Sequence, residues 1–169
     1  LAIEETFPVS TDVFDVVLPG NGWIHAMPRV DQWEEIRSIE IATGEESLSG
    51  YPSVRAGTVV RLHPSGDYIY GADNGLSPSD IEKYDIRDGP ASYMYDSPYH
   101  GDYAFSGNLW ISEDGARIFA RSAHVFRTST LQSEDMLYSG TLPGSGTLEW
   151  AVTSTENQRA YVLRESPGT

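Results

Sequence analysis

Short runs of alternating apolar and polar residues recur along this chain, separated by turns rich in Gly and Pro. In the clearest unit, residues 56–89, the apolar runs at 57–62 and 68–72 flank a His-Pro-Ser-Gly turn, and a polar loop at 73–79 precedes the alternating run 81–86. A period of two is the side-chain period of a β-strand. Gly in such turns supplies the positive φ that they require. The unit is therefore predicted to fold as strand, turn, strand, loop, strand and turn.

The same unit recurs along the sequence. Moving residues 68–70 and 84–86 back by about 45 positions aligns them with the apolar runs 23–25 and 39–41 without a gap. Moving the unit forward by about 49 positions aligns its second strand with 117–119, and about 43 positions further lies the run 161–162. This spacing is typical of the four-stranded blade of a β-propeller.

We therefore predict an all-β chain that forms a β-propeller fragment of about 3.5 four-stranded blades. A single propeller portion is expected over residues 1–169, with approximate blades at 10–50, 51–98 and 99–144 and a partial blade at 145–169. An open fragment exposes sheet edges and faces. The ring is therefore expected to be completed by a second chain or a second copy, or the chain is a piece of a larger propeller.

Two local patterns favour helix instead of strand. Residues 79–82 match a capping box, and Val30, Trp33 and Ile36 could line a helix face. The repeat register favours strands at both places. A small β-sandwich whose hairpins only look repetitive is the alternative architecture.

The hairpins 62–74 and 111–119 and the strand 81–89 resemble the blade of bacterial YVTN-type (surface-layer-like) seven-bladed propellers. The resemblance covers roughly residues 12–165. It implies an extracellular or cell-surface protein of bacterial type that acts as a binding or assembly scaffold, and some relatives of this type are quinoprotein dehydrogenase subunits. The chain departs from the pattern because half of the expected ring is missing.

The composition of the chain argues against some classes of binding partner. The chain has 169 residues, a formal net charge of -14 and no Cys. Such an acidic chain is not expected to bind nucleic acid or an anionic membrane surface, and its apolar runs are too short to insert into a membrane. The absence of Cys excludes disulfides and thiolate metal sites. Leu1 is not an initiator Met, so we expect processing, proteolysis or a chosen expression boundary at this end.

Ligand binding is expected in the loops that join the second and third strands of each blade, because loops on a rigid scaffold are free to vary. The repeat register places these loops at 27–34, 73–79 and 121–131. Trp beside polar groups would suit a carbohydrate or a peptide. The candidate ligand-binding residues are Arg29, Asp31, Trp33, Asp73, Asn74, His124 and Arg127.

No catalytic set stands out, so the catalytic residues remain unknown, and neither a metal nor a cofactor is predicted. Oxygen atoms of Asp73, Asn74, Ser77 and Asp80 could serve calcium, but an Asn-Gly turn explains this loop more simply. None of the four His forms a pair with metal-ligand spacing. His25 is expected to pack between blades, and so are the aromatic residues of 99–105.

The leading hypothesis is a non-enzymatic scaffold outside the cell or on its surface that binds a protein or a carbohydrate. The first alternative is half of a propeller enzyme, a lyase, a hydrolase or a quinoprotein-type dehydrogenase subunit, with catalytic residues partly on the missing blades. The second is a structural module for surface-layer display, which would bind no small ligand.

Overall fold

The computed structural model describes residues 5–29, 33–52, 54–75 and 77–165. Within these ranges the regular structure consists of β-strands and one 3-10 helix, Gln132–Glu134. The predicted all-β class is confirmed. Among the described residues there is no helix long and apolar enough to cross a membrane.

The strands form successive antiparallel sheets in which each strand pairs with the next one in the chain. Sheet 1 contains β1 (Val13–Val17), β2 (Trp23–Pro28), β3 (Arg37–Glu40) and β4 (Glu46–Leu48). Sheet 2 contains β5 (Val59–Leu62), β6 (Tyr68–Ala72), β7 (Ile81–Asp85) and β8 (Ser92–Asp96). Sheet 3 contains β9 (Leu109–Ile111), β10 (Arg117–Ala120), β11 (His124–Arg127) and β12 (Tyr138–Thr141). Sheet 4 contains β13 (Leu148–Ser154) and β14 (Arg159–Arg164).

Successive sheets pack face to face and approach each other through their first strands. Strand β1 lies against β5, β5 against β9, and β9 against β13. Each pair of neighbouring sheets buries its own apolar core. Successive side chains of a strand point to opposite faces, so each strand of sheets 2 and 3 can contribute to the cores on both sides of its sheet. This repeated arrangement of sheets is compatible with a propeller-like fold.

The order of strands gives the stack two distinct ends. The turns after the first and third strands of each sheet lie at one end, which we call the turn end. The connections after the second strand, and the links from one sheet to the next, lie at the other end, which we call the loop end. This distinction decides which of the predicted binding residues can share one surface.

The two helix signals do not produce helices in the described residues. The capping-box sequence leads into strand β7, which starts at Ile81. In the second region Glu34 forms an isolated bridge with Val54, and Ile36 is buried in the core between sheets 1 and 2. Val30 lies outside the described residues. The repeat register was therefore the better guide than the local pattern.

The loop predicted at 121–131 is wrong. Strand β11 occupies the middle of this range, and the connection before it is a tight turn closed by the hydrogen bond from Ala123 N to Ala120 O. Ala123 adopts a φ of 69° in this turn. Because a positive φ at Ala carries no sequence signal, the turn was not recognised. The long connection of sheet 3 follows β11 at the turn end instead.

Candidate functional site

The loop end of sheets 1 and 2 carries an exposed aromatic and cationic surface. Trp33 is 60% exposed, and the guanidinium of Arg55 lies 4.6 Å from the centroid of its ring. Arg55 is itself buried and donates a hydrogen bond to the carbonyl oxygen of Gly75. Arg55 thus connects the β2–β3 loop with the β6–β7 loop, and this Trp33–Arg55 surface is the candidate binding site.

Arg29 directly follows β2, at the same loop end. Its guanidinium lies 5.5 Å from the ring centroid of Phe14, and its Nη2 donates a 3.0 Å hydrogen bond to the carbonyl oxygen of Val13. Arg29 itself is exposed. Asp31, another predicted binding residue, lies outside the described residues.

Asp73 and Asn74 shape the β6–β7 loop. The backbone N–H of Gly75 donates a 2.8 Å hydrogen bond to Oδ1 of Asp73, which is buried. The amide of Asn74 donates to the carbonyl oxygens of Gly57, at 3.0 Å, and Gly107, at 3.2 Å, and its Oδ1 accepts from the N–H of Gly107. The amide of Asn74 therefore ties the loop to the links on either side of sheet 2.

The structure separates the last two predicted binding residues. His124 begins β11 at the loop end, where its Nδ1 lies 2.9 Å from Ser122 Oγ and its ring meets Tyr103 edge-on at 5.0 Å. Arg127 ends the same strand and is exposed at the turn end. Of the seven predicted residues, Trp33 therefore contacts Arg55, Arg29 lies over Phe14 of β1 at the same loop end, and Arg127 lies at the opposite end.

A buried ion pair that the sequence did not indicate joins sheets 2 and 3. Lys83 Nζ lies 2.6 Å from Asp135 Oδ2, with 1% and 0% of the two side chains exposed. Nζ also donates to the carbonyl oxygen of Ser129 at 2.7 Å and lies 4.3 Å from the ring centroid of Tyr68. A cavity of about 190 Å³ at the turn end reaches this lysine.

Asp135 accepts more hydrogen bonds than the one from Lys83. Its carboxylate accepts from the hydroxyls of Tyr70, at 3.1 Å, and Tyr95, at 3.0 Å, and from the backbone N–H groups of Ser129 and Met136. Burial, followed by the adjacent Asp135 carboxylate, raises the pKa of both tyrosines. The network fastens the loop after β11 to sheet 2, and we interpret it as structural.

His63 forms a second connection between these sheets. Its Nε2 lies 3.0 Å from the carbonyl oxygen of Gly115, and its Nδ1 lies 3.1 Å from the backbone N–H of Ser65. These partners assign the neutral tautomer with the proton on Nε2, since a carbonyl can only accept and an N–H can only donate. His63 is half-buried, because the turn after β9 lies against its ring.

His25 occupies a buried position between sheets 1 and 2, and its predicted packing role is confirmed. Its Nδ1 lies 3.0 Å from Ser38 Oγ, which also accepts a hydrogen bond from the backbone N–H of Ala91. Burial lowers the pKa of His25 to about 4. The imidazole is therefore neutral at physiological pH. The aromatic residues of 99–105 likewise pack between sheets 2 and 3.

Carboxylates cluster where β7 starts and β8 ends. One ligand atom each of Asp80, Asp96 and His100 lies within 4.8 Å of the others. Asp80 accepts hydrogen bonds from Ser97 Oγ and from the N–H of Ile81, and burial raises its pKa to about 6. The three groups are close enough to hold a divalent cation, but exposed acidic groups often have this spacing without one. We do not assign a metal site here.

Glu82 lies next to this cluster, and its raised pKa makes the stability of the folded protein depend on pH. Burial, with smaller contributions from Asp73, Asp80 and Asp96, raises its pKa from the usual 4.5 of a glutamate to about 7. Between these two pH values the folded protein holds a proton that the unfolded chain has released. The contribution of this group to stability therefore falls as pH rises through this window.

Replacing Glu82 with glutamine removes this dependence and keeps an acceptor for the Tyr84 hydroxyl, which donates to Glu82. We expect E82Q to be more stable than the unmodified chain by about 1–2 kcal/mol above pH 7 and to match it near pH 4. Urea unfolding at both pH values measures the difference. The exposed Glu45→Gln is the matched control. An equal gain at both pH values would show that burial of the charge is not the cause.

Comparison with known proteins finds a similar solved structure but does not assign the chain to a protein family. No protein-family model matches the sequence, and no curated protein matches it. Among solved structures, the chain is similar to a functionally unknown protein from Desulfotomaculum acetoxidans DSM 771, with a TM-score of 0.48 and 12% sequence identity. The likeness covers 94% of this chain and 64% of that one, so the chain spans less than two thirds of the matched structure.

Proposed function

We propose that this chain is part of a YVTN-type β-propeller that acts as a non-enzymatic binding scaffold. The observation that supports it is the stacking of successive sheets through their first strands, β1 on β5, β5 on β9 and β9 on β13. In a propeller the first strand of each blade lies nearest the axis, so this order of contacts is expected of blades that fan out around a centre.

The Trp33–Arg55 surface is the proposed binding site of this scaffold, and its ligand is a carbohydrate or a protein partner. An indole ring offers a flat apolar face, and the neighbouring guanidinium groups offer hydrogen-bond donors. Sites that bind such ligands combine an aromatic surface with a few placed polar groups. The scaffold that presents this surface is rigid, because Arg55 and Asn74 fasten its loops to their neighbours.

The proposal includes the setting of the scaffold. A second chain or a second copy completes the ring, because an open series of sheets leaves the apolar side chains of Trp150 and Leu163 exposed on sheet 4. The resemblance to surface-layer-like propellers supports a location outside the cell or at the cell surface as part of this proposal. The acidic chain, with a net charge of -14, suits this setting because charge keeps exposed repeat proteins soluble.

Truncating the Trp33 side chain tests the binding site. In titration calorimetry against a panel of soluble glycans and peptides, we expect W33A to weaken the best-bound ligand about tenfold, and R55A to weaken it similarly. The control is L131A, which truncates a side chain that is 59% exposed elsewhere. Equal binding by all three variants, or no binding by the unmodified chain, would contradict the proposed site.

A further inference from the structure

The outer face of sheet 4 is apolar, and no sheet formed by the described residues covers it. Trp150 lies opposite Leu163, and Val152 lies opposite Tyr161, in the register of β13 and β14. The four side chains share one face because cross-strand partners do. They are 54%, 66%, 53% and 50% exposed respectively. The alternate residues Ala151 and Val162 point the other way and pack against sheet 3.

The same pattern is buried one sheet earlier. In sheet 3, Trp110 lies opposite Phe119, and both side chains pack against sheet 4 with 6% and 5% exposed. Val152 and Tyr161 occupy the corresponding cross-strand position of sheet 4, at the same distance from the four-residue turn between its strands. The outer face of sheet 4 therefore has the composition of a face that receives another sheet.

Sheet 1, the first sheet of the series, also exposes apolar residues. On β1, Val17 packs into the core with sheet 2, whereas Phe14 and Val16 are 39% and 40% exposed. The segment before β1 is held over the outer strands of sheet 1, where Ser10 bonds to Arg37 and Glu46. Phe14 and Val16 of β1 stay partly exposed, with the Arg29 guanidinium over the Phe14 ring.

We infer that the outer face of sheet 4 docks onto strand β1 of a second copy of this chain. This inference rests on the proposed propeller scaffold and names the partner that completes it. In the docked pair β13 lies against β1 of the partner copy and continues the series of contacts between first strands.

The contact is head to tail: each copy uses two different surfaces, and two copies close the ring. Net charge opposes it, because each copy carries -14. Salt screens this repulsion and leaves apolar burial in place. The dimer is therefore expected to be tighter at high salt than at low salt.

Thiol cross-linking tests this arrangement directly, because the chain has no Cys of its own. We expect a short bis-maleimide to link V152C to V16C when the two single variants are mixed, and to link neither variant to itself. Mixtures of V16C with L131C, an exposed position outside both faces, are the control. Self-linking of V152C would overturn the head-to-tail contact, as would linking of the control mixture at the same yield.

Light scattering supplies a second readout. The unmodified chain is expected at twice its 18.6 kDa mass, and Trp150→Glu at 18.6 kDa. Since Trp150 is half exposed, W150E should unfold at the same temperature as the unmodified chain in its monomeric form. A mass of 18.6 kDa for the unmodified chain at all concentrations and salts would overturn the inference. Ligand binding by monomeric W150E would leave the scaffold and its Trp33 site standing, so the two proposals fail separately.

Discussion

We expect the substitution D135N to lower the free energy of unfolding by about 3–5 kcal/mol, because it leaves the Lys83 ammonium buried beside a neutral amide. K83M is expected to cost less, about 1–3 kcal/mol. Without Lys83 the carboxylate of Asp135 still accepts from two tyrosine hydroxyls and two backbone N–H groups. The order of the two variants is the specific prediction, and urea unfolding measures it.

The ion pair of Arg87 and Asp85 is the matched control for the buried pair. Its arginine side chain is 51% exposed, against 1% for Lys83. Surface pairs contribute about 0–1 kcal/mol, so R87M should change stability by less than either buried substitution. If D135N costs no more than R87M, the Lys83–Asp135 network does not hold sheets 2 and 3 together.

Phe126→Ala is expected to have an effect of the same size, about 3–5 kcal/mol. Phe126 is fully buried, and its ring lies 5.0 Å from that of Phe105 and 5.3 Å from that of Tyr103, both in the link between sheets 2 and 3. Truncation removes the transfer free energy of the ring and leaves a cavity, because strands on both sides hold the walls in place.

The control for this core is Phe14→Ala, whose side chain is 39% exposed on β1. Its truncation leaves no enclosed cavity and should cost about 1 kcal/mol or less in a monomeric background such as W150E. Thermal and urea unfolding of both variants provide the comparison. A loss under about 1 kcal/mol for F126A would mean that sheets 2 and 3 do not share this core.

The strands could be predicted from the sequence because two signals coincided. The alternation around Tyr84 and Ile86 gave the period of a strand, and the repeat placed the equivalent residues of sheet 1 in the same register. His25 was assigned to packing by the same equivalence. Where a turn lacks Gly, as at Ala123, the pattern failed and a strand was mistaken for a loop.

The polar network and the candidate site could be predicted only in part. Lys83 and Asp135 are 52 residues apart, and Asp135 follows the 3-10 helix in a loop without a periodic signal. Trp33 was proposed from its residue type and from the loop in which the repeat register placed it. Its partner Arg55 was missed because their contact depends on how the link before β5 passes the β2–β3 loop, which no local pattern encodes.

The radial arrangement of the sheets is the central claim, and distances between spin labels test it most directly. Cysteines can be introduced singly or in pairs into this Cys-free chain, and dilution with unlabelled chain isolates distances within one copy. Labels at Ser92 and Ser139, on the outer strands β8 and β12, are compared with labels at Arg61 and Ile111, on the first strands β5 and β9. Sheets that fan out from an axis predict a clearly longer distance for the outer pair. Equal distances would contradict the propeller and indicate a flat stack of sheets.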